Sequence, residues 1–180
     1  MTREQLAHIL RAASTIADAS DVLVIGSQSI LGSYDEESLP AQAWLSMEAD
    51  IAFLDDDDGR KADAVDGAIG ELSGFHEMYA YYAQGVSVST AVLPDGWESR
   101  VVAFDARSSI PAEAKCLEPH DLVVSKLVAM REKDQVFADA LIRAGLVDPE
   151  ILRQRAEALS GALTLQRRAV LSWLASRTQA

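Results

Sequence analysis

Two acids flank one alanine in Glu48-Ala-Asp50 at the head of the apolar run Ile51-Ala-Phe53, and upstream the run Val24-Ile25 ends in Gly26-Ser27. On a β-strand, residues i and i+2 project from the same face. Glu48 and Asp50 would therefore stand side by side at one end of a sheet. Adjacent carboxylates repel, and a shared proton or a divalent cation relieves that repulsion. A cation in that position can hold the phosphates of a nucleotide. Gly26-Ser27 supplies the complement. A glycine lets the backbone approach a phosphate closely, a following helix N-terminus offers free amide donors, and a serine adds a hydroxyl. Alone, each feature is common on ordinary folds. Together they suit phosphoryl or nucleotidyl transfer, where positioning and charge neutralisation do most of the work. The three spaced glycines of a dinucleotide fingerprint are absent.

The elements that must position these groups can be read from pattern. Leu6, Ile9, Leu10, Ala13 and Ile16 form one stripe, and Thr2 with Gln5 resembles a capping box, so a helix is expected from Thr2 to about Ala19. Asp21–Ile25 reads as a short apolar strand that Gly26-Ser27 stops, with a helix beginning over Gln28–Leu31. Gly32–Ala43 reads as a loop or short insertion, and Asp50–Leu54 continues the second strand. The tetrad Asp55–Asp58 reads either as a second metal site or, the reading preferred here, as a solvated turn. A weak helix is expected over Lys61–Leu72. Ser87–Leu93 and Arg100–Asp105 read as strands joined by the turn Pro94–Trp97.

From Pro119 the pattern is helical. Leu122, Val123, Leu127 and Met130 give one stripe, Phe137, Ala140, Leu141 and Ala144 the next, and Asp148-Pro149 reads as an N-cap followed by proline at the first helical position. The order predicts an α+β fold: a mixed β-sheet core flanked by helices, with a C-terminal helical segment. The expected division is a core over residues 1–112 and a helical region over 113–180 packed on it, with a single domain as the alternative.

The 180 residues carry a formal charge of −12, which argues against broad binding to duplex DNA without excluding a local basic groove. No apolar run is long enough to cross a membrane, and no signal-peptide pattern opens the chain. The one cysteine, Cys116, has no partner for an internal disulfide, so a reducing cytoplasm is the expected location.

Gly26-Ser27 followed by Glu48-Ala-Asp50 resembles the signature of the polymerase-β-like nucleotidyltransferase superfamily. The stretch from Leu117 to Asp134, LEPHDLVVSKLVAMREKD, is similar to a C-terminal motif of small bacterial nucleotidyltransferases of the AbiEii toxin-like kind and their uncharacterised relatives. Ser73-Gly-Phe-His-Glu77, Tyr82-Ala-Gln-Gly-Val86 and Leu93-Pro-Asp-Gly-Trp97 resemble further blocks of that branch. The resemblance implies a nucleotidyltransferase core and a role for each matching residue. Gly26 and Ser27 would meet the nucleotide phosphates, Glu48 and Asp50 would bind Mg2+, and Lys126 would neutralise triphosphate charge. Arg131, Lys133 and Asp134 would complete that side of the cleft. Lys126 and Lys133 lie a heptad apart and share a face if one helix carries both. For the two lysines the alternative is an ordinary solvated helix face.

The chain departs from the pattern in places. Glutamate stands at position 48 where related sequences have aspartate, Trp44 stands where they have arginine, and the segment between Ser27 and Glu48 is longer. A third acid is expected on a later strand; Ser87, Ser89 and Asp105 occupy candidate positions, and of these Asp105 is acidic. His76 and Glu77 could act as acid and base or hold a base or metal, and Arg100 could reach a phosphate or simply flank a strand. Tyr79, Tyr81 and Tyr82 could stack on a nucleobase, with Tyr79 and Tyr81 on the opposite strand face from Tyr82.

The resemblance implies an enzyme that moves a nucleoside monophosphate from an NTP to an acceptor: tRNA, a protein side chain or a small molecule. It also implies a toxin-like role with a cognate antitoxin as partner. The alternative is a catalytically impaired fold that serves as a nucleotide-binding or partner-binding module.

Overall fold

The computed structural model describes residues 1–178. Five strands form one sheet in the order β3-β2-β1-β5-β4: β1 (Leu23–Val24), β2 (Glu48–Ala52), β3 (Tyr82–Gly85), β4 (Val102–Ala103) and β5 (Lys115–Cys116). β2 runs parallel to β3 and β1 parallel to β5, while β1–β2 and β4–β5 are antiparallel. The helices are α1 (Arg3–Ala17), α2 (Ala41–Trp44), α3 (Arg60–Ile69), α4 (Gly74–Tyr79), α5 (Pro119–Ala129), α6 (Glu132–Arg143), α7 (Pro149–Glu157) and α8 (Thr164–Thr178). The fold is α+β, with a mixed sheet flanked by helices and a helical C-terminal segment, as the pattern of elements predicts.

Local signals explain several boundaries. The capping box forms at α1: the Thr2 side chain accepts from the Gln5 amide, and the Gln5 side chain accepts from the Thr2 amide. The stripe Leu6, Ile9, Leu10 and Ala13 is buried. Asp148 caps α7, accepting from the Glu150 amide at 2.7 Å, with Pro149 at the first helical position. Glu118 caps α5 through the amides of His120 and Asp121.

One cluster of buried apolar side chains joins Leu10 on α1, Val24 and Ile51 on the sheet, Leu127 on α5, Leu152 on α7 and Trp173 on α8. Burying a leucine or isoleucine of this kind contributes about 1.5–3 kcal/mol. At the sheet edge, α3 lies close against β3: a Cβ built on Gly85 would meet the carbonyl oxygen of Ala62 at 1.8 Å, so only glycine lets the helix approach.

Three readings need correction. Ser87–Leu93 is not a strand. A 3-10 turn spans Val88–Thr90, fixed locally because the Ser87 hydroxyl accepts from the Ser89 amide and the Thr90 hydroxyl donates to the Ser87 carbonyl. Pro94–Trp97 does form a turn, but no hairpin: β4 pairs with β5 at the far edge of the sheet. The tyrosine run is not one strand either. Tyr79 ends α4, whereas Tyr82 begins β3.

Lys126 and Lys133 do not stand on one helix, so the condition for a shared helix face is not met. Met130 adopts a left-handed conformation (φ 51°) that ends α5, and extended Arg131 begins α6. The α5–α6 corner is held from outside. The Gln135 amide donates to the Met130 carbonyl at 2.9 Å, and the Trp173 indole donates to the Gln135 side-chain oxygen at 2.9 Å. The C-terminal helix thus buttresses the corner that presents Lys126, Arg131 and Lys133.

Candidate functional site

β2 alternates between partly exposed Glu48 and Asp50 and buried Ala49 and Ile51. The acids therefore share the face turned away from the core, as the spacing predicts. The Ile25 amide donates to the Asp50 carbonyl at 3.1 Å, which sets Gly26 directly against the Asp50 side chain. A Cβ at Gly26 would fall 1.4 Å from Asp50 Oδ2. Glycine at the end of β1 is what gives the carboxylate its place. Ser27 follows as the first residue of a 3-10 turn over Ser27–Gly32, in place of the α-helical start expected there.

A cleft of about 510 Å³ collects these groups. Ser27, Glu48 and Asp50 line one side, and Lys126, Arg131 and Lys133 the other. Gln42, Ser46, Gln84, Asp134 and Phe137 complete it. The helix break at Met130 does not part the lysines, since both line the cleft. A second lobe of about 410 Å³ adjoins the first at Asp50, Gln84, Lys126 and Arg131, which line both.

The electrostatics of the cleft are those of an unbalanced pair. Burial raises the Asp50 carboxyl, and Glu48 adds to the rise, bringing it to about 6. Lys126 and Lys133 oppose that shift without cancelling it. Burial lowers the Lys126 ammonium, against the pull of Asp134 and Asp50. Lys126 Nζ lies 3.7 Å from Asp134 and 5.1 Å from the centre of the Phe137 ring. Asp134, almost fully buried, also takes Arg131 at 2.5 Å, and this bond raises the Arg131 guanidinium. Asp134 therefore holds the two cations in place and does not face the acid pair as a third ligand.

Glu48 is fixed by Tyr82, its partner in register on β3: the phenol donates to Glu48 Oε2 at 2.8 Å. Burial and that carboxylate raise the Tyr82 phenol, keeping it a donor. The next register pair sets Gln84 beside Asp50. Gln84 is exposed and lines the cleft from the neighbouring strand, whereas Ser87, Ser89 and Asp105, the positions considered for a third acid, do not line it. Sequence reasoning missed Gln84. Its signal is the i+2 spacing from Tyr82 on a strand too short to show alternation.

The remaining residues lie elsewhere. His76 accepts from the Leu72 amide at 3.1 Å through Nδ1 and packs against Tyr82 in a tilted arrangement with ring centres 4.6 Å apart, so it touches the site only through that ring. Glu77 is exposed on α4. Neither lines the cleft. Arg100 makes a two-pronged bond to buried Asp121, at 2.7 and 3.0 Å, and joins Arg155 in holding that carboxylate. Asp105 is exposed beyond β4, at the opposite edge of the sheet from β3. The structure does not bring Arg100 or Asp105 to the cleft. Tyr79 and Tyr81 join His8 and Phe75 in a separate aromatic cluster.

The donors fit a hard divalent cation. Glu48 and Asp50 offer carboxylate oxygens on one face, their repulsion is of the kind a cation relieves, and Mg2+ is commonly held by one or two carboxylates together with substrate phosphates. Among the described residues no cluster of three or more His, Cys, Asp or Glu forms a metal cage. Further positions on such an ion would thus fall to neutral oxygens, water and phosphate. No helix among the described residues is long and apolar enough to cross a membrane.

No curated protein and no solved structure matches the chain. A family model described as a nucleotidyltransferase of unknown function (DUF6036) matches residues 4–173. That span runs from α1 into α8 and includes the acid pair, the glycine-serine turn and the α5–α6 corner, and on it the chain belongs to this nucleotidyltransferase family.

Proposed function

We propose that the chain transfers a nucleoside monophosphate from a nucleoside triphosphate to an acceptor, with Mg2+ held by Glu48 and Asp50. The observation that carries this reading is the packing of Asp50 against Gly26, with Glu48 beside it and Lys126, Arg131 and Lys133 across the same cleft. An acid pair whose Asp50 is raised by burial and by the neighbouring Glu48 faces a set of cations, and a magnesium-bound triphosphate satisfies both sides. When bound, magnesium neutralises phosphate charge and orients the reacting group. Ser27 donates its hydroxyl to a phosphate oxygen, and the corner cations receive the charge that gathers on the departing pyrophosphate. Tyr82 holds Glu48 in register, and Gln84 offers an amide to the nucleotide or the acceptor.

A specific observation favours a second reading. Among the described residues no third acid joins Glu48 and Asp50, and neutral Gln84 stands beside Asp50 on the neighbouring strand, which suits a module that binds nucleotide without turning it over. The AbiEii-like placement, the toxin-like role and a cognate antitoxin are supported by the motifs from Ser73 to Asp134 alone. Labelled NTPs, magnesium and cell extract separate the two readings. Transfer that disappears in Asp50→Asn and Glu48→Gln supports the enzyme. Magnesium-dependent nucleotide binding with no transfer supports the module. Neither binding nor transfer sinks both.

A further inference from the structure

The two lobes of the cleft differ in chemistry. The residues found only in the larger lobe include Glu48, Lys133 and Asp134, whereas those found only in the smaller one include Ile25, Val86, Thr90, Ala91, Ser125 and Ala129, all uncharged. Gly26, the remaining residue particular to the smaller lobe, is neutral too. Asp50, Gln84, Lys126 and Arg131 form the boundary, where Lys126 and Arg131 already share Asp134.

We propose that the smaller lobe is the acceptor site, and that it takes a compact, uncharged group bearing a hydroxyl. This rests on the nucleotidyl-transfer reading and adds to it the class of acceptor. In phosphoryl transfer the attacking and leaving oxygens lie roughly in line across the phosphorus. The leaving pyrophosphate belongs with the cations of the larger lobe, so the nucleophile enters from the other side of the Asp50–Lys126 boundary. There an acceptor oxygen lone pair forms the new bond to the α-phosphorus. The bond from that phosphorus to the β-bridging oxygen breaks, its electron pair leaves on pyrophosphate, and the acceptor's proton passes to water. The walls decide what can enter. Placing a phosphate-rich chain among Ile25, Val86, Ala91 and Ala129 desolvates charge, and the cations that border the lobe, Lys126 and Arg131, are already shared with Asp134. The formal charge of −12 adds long-range repulsion of a polyanion. The neutral hydroxyls of Thr90 and Ser125 and the Gln84 amide suit a hydroxyl-bearing group instead.

The test fills the smaller lobe from two separate elements. Ala129→Trp acts at the exposed end of α5 and Thr90→Trp on the exposed turn after β3, so each tolerates bulk and each checks the other; thermal melts report folding. Both are compared with the unaltered chain for binding of ATP with magnesium, and for transfer of label from α-labelled ATP into cell extract separated into small-molecule, protein and nucleic-acid fractions. The expected result is ATP affinity within a factor of about two and transfer reduced about 100-fold, with label in the small-molecule or protein fraction according to the source of the hydroxyl. Undiminished transfer in either folded variant overturns the proposal. So does ATP affinity that falls in parallel with transfer, because the lobe would then hold the nucleotide, and so does label on nucleic acid. If the unaltered chain binds ATP but labels nothing, the nucleotidyl-transfer reading itself fails and the acceptor site with it.

Discussion

Two acidic clusters lie a few residues apart in this chain, and the structure treats them in opposite ways. In the loop Asp55–Asp58, charge is answered locally. Asp56 accepts from the amides of Lys61 and Ala62 at 3.0 and 2.9 Å and so caps α3, Asp55 pairs with Lys61 at 2.7 Å, and Asp58 pairs with Arg60 at 2.6 Å. Those bonds hold the Asp55 and Asp58 carboxyls below their ordinary value. In the pair Glu48–Asp50, burial and mutual repulsion push Asp50 up to about 6. Size does not tell the clusters apart, since a surface hollow of about 500 Å³ borders the loop and a cleft of about 510 Å³ holds the pair. The difference lies in what answers the charge. An acid run whose oxygens are taken by amides and cations is architecture, whereas an acid pair whose neighbouring cations leave Asp50 raised is a place for something to bind.

The sharpest way to break the comparison is Asp50→Asn. Transfer, or magnesium-dependent nucleotide binding if there is no turnover, should fall on the order of 100- to 1,000-fold. The same change should stabilise the protein at neutral pH. The folded carboxyl, at about 6, holds a proton that the unfolded chain sheds near its ordinary 3.8, so this group's contribution is present at low pH and is lost as pH rises through about 6. The whole effect is about 3 kcal/mol as an order of magnitude. Thermal melts should show the variant more stable than the unaltered chain above pH 6 and similar near pH 3.8. Magnesium binding to the unaltered chain should weaken progressively below about pH 6, as the proton competes for Asp50.

Gly26→Ala tests the close approach itself. A methyl at 1.4 Å from Asp50 Oδ2 must displace the carboxylate, and a misplacement of this kind should cost about 100-fold in transfer. Tyr82→Phe removes the donor to Glu48 and leaves the ring on His76. It should weaken magnesium affinity about 10- to 100-fold, read by calorimetry, with little change in melting temperature. The smallest effect on function should come from the other cluster. Asp56→Ala uncaps α3 and should cost about 1 kcal/mol of stability in a denaturant titration while leaving nucleotide transfer intact. Loss of transfer there, with none in Asp50→Asn, would reverse the comparison.

Much of this was legible in the residues. The i, i+2 spacing put Glu48 and Asp50 on one face, the glycine-serine turn ended β1, and the caps at Thr2 and Asp148 opened their helices. These signals are local, so sequence carries them. Three features were not legible. β3 has four residues, too few for alternation to show, and its position at Gln84 went with it. The α5–α6 corner turns at Met130 without a glycine or proline to announce it, because its support comes from the Gln135 side chain, itself held by Trp173 on α8. Arg100 was left between reaching a phosphate and flanking a strand, because nothing in the chain near it reveals that Asp121 lies beneath it. For the corner and for Arg100, the deciding partners, Trp173 and Asp121, are distant in sequence.

The most direct measurement is an anomalous diffraction map from crystals grown with Mn2+ and a non-hydrolysable NTP. The expected result is a peak between the Glu48 and Asp50 carboxylates, with phosphate density running from Ser27 toward Lys126. A peak among Asp55–Asp58, or none beside Asp50, would contradict it.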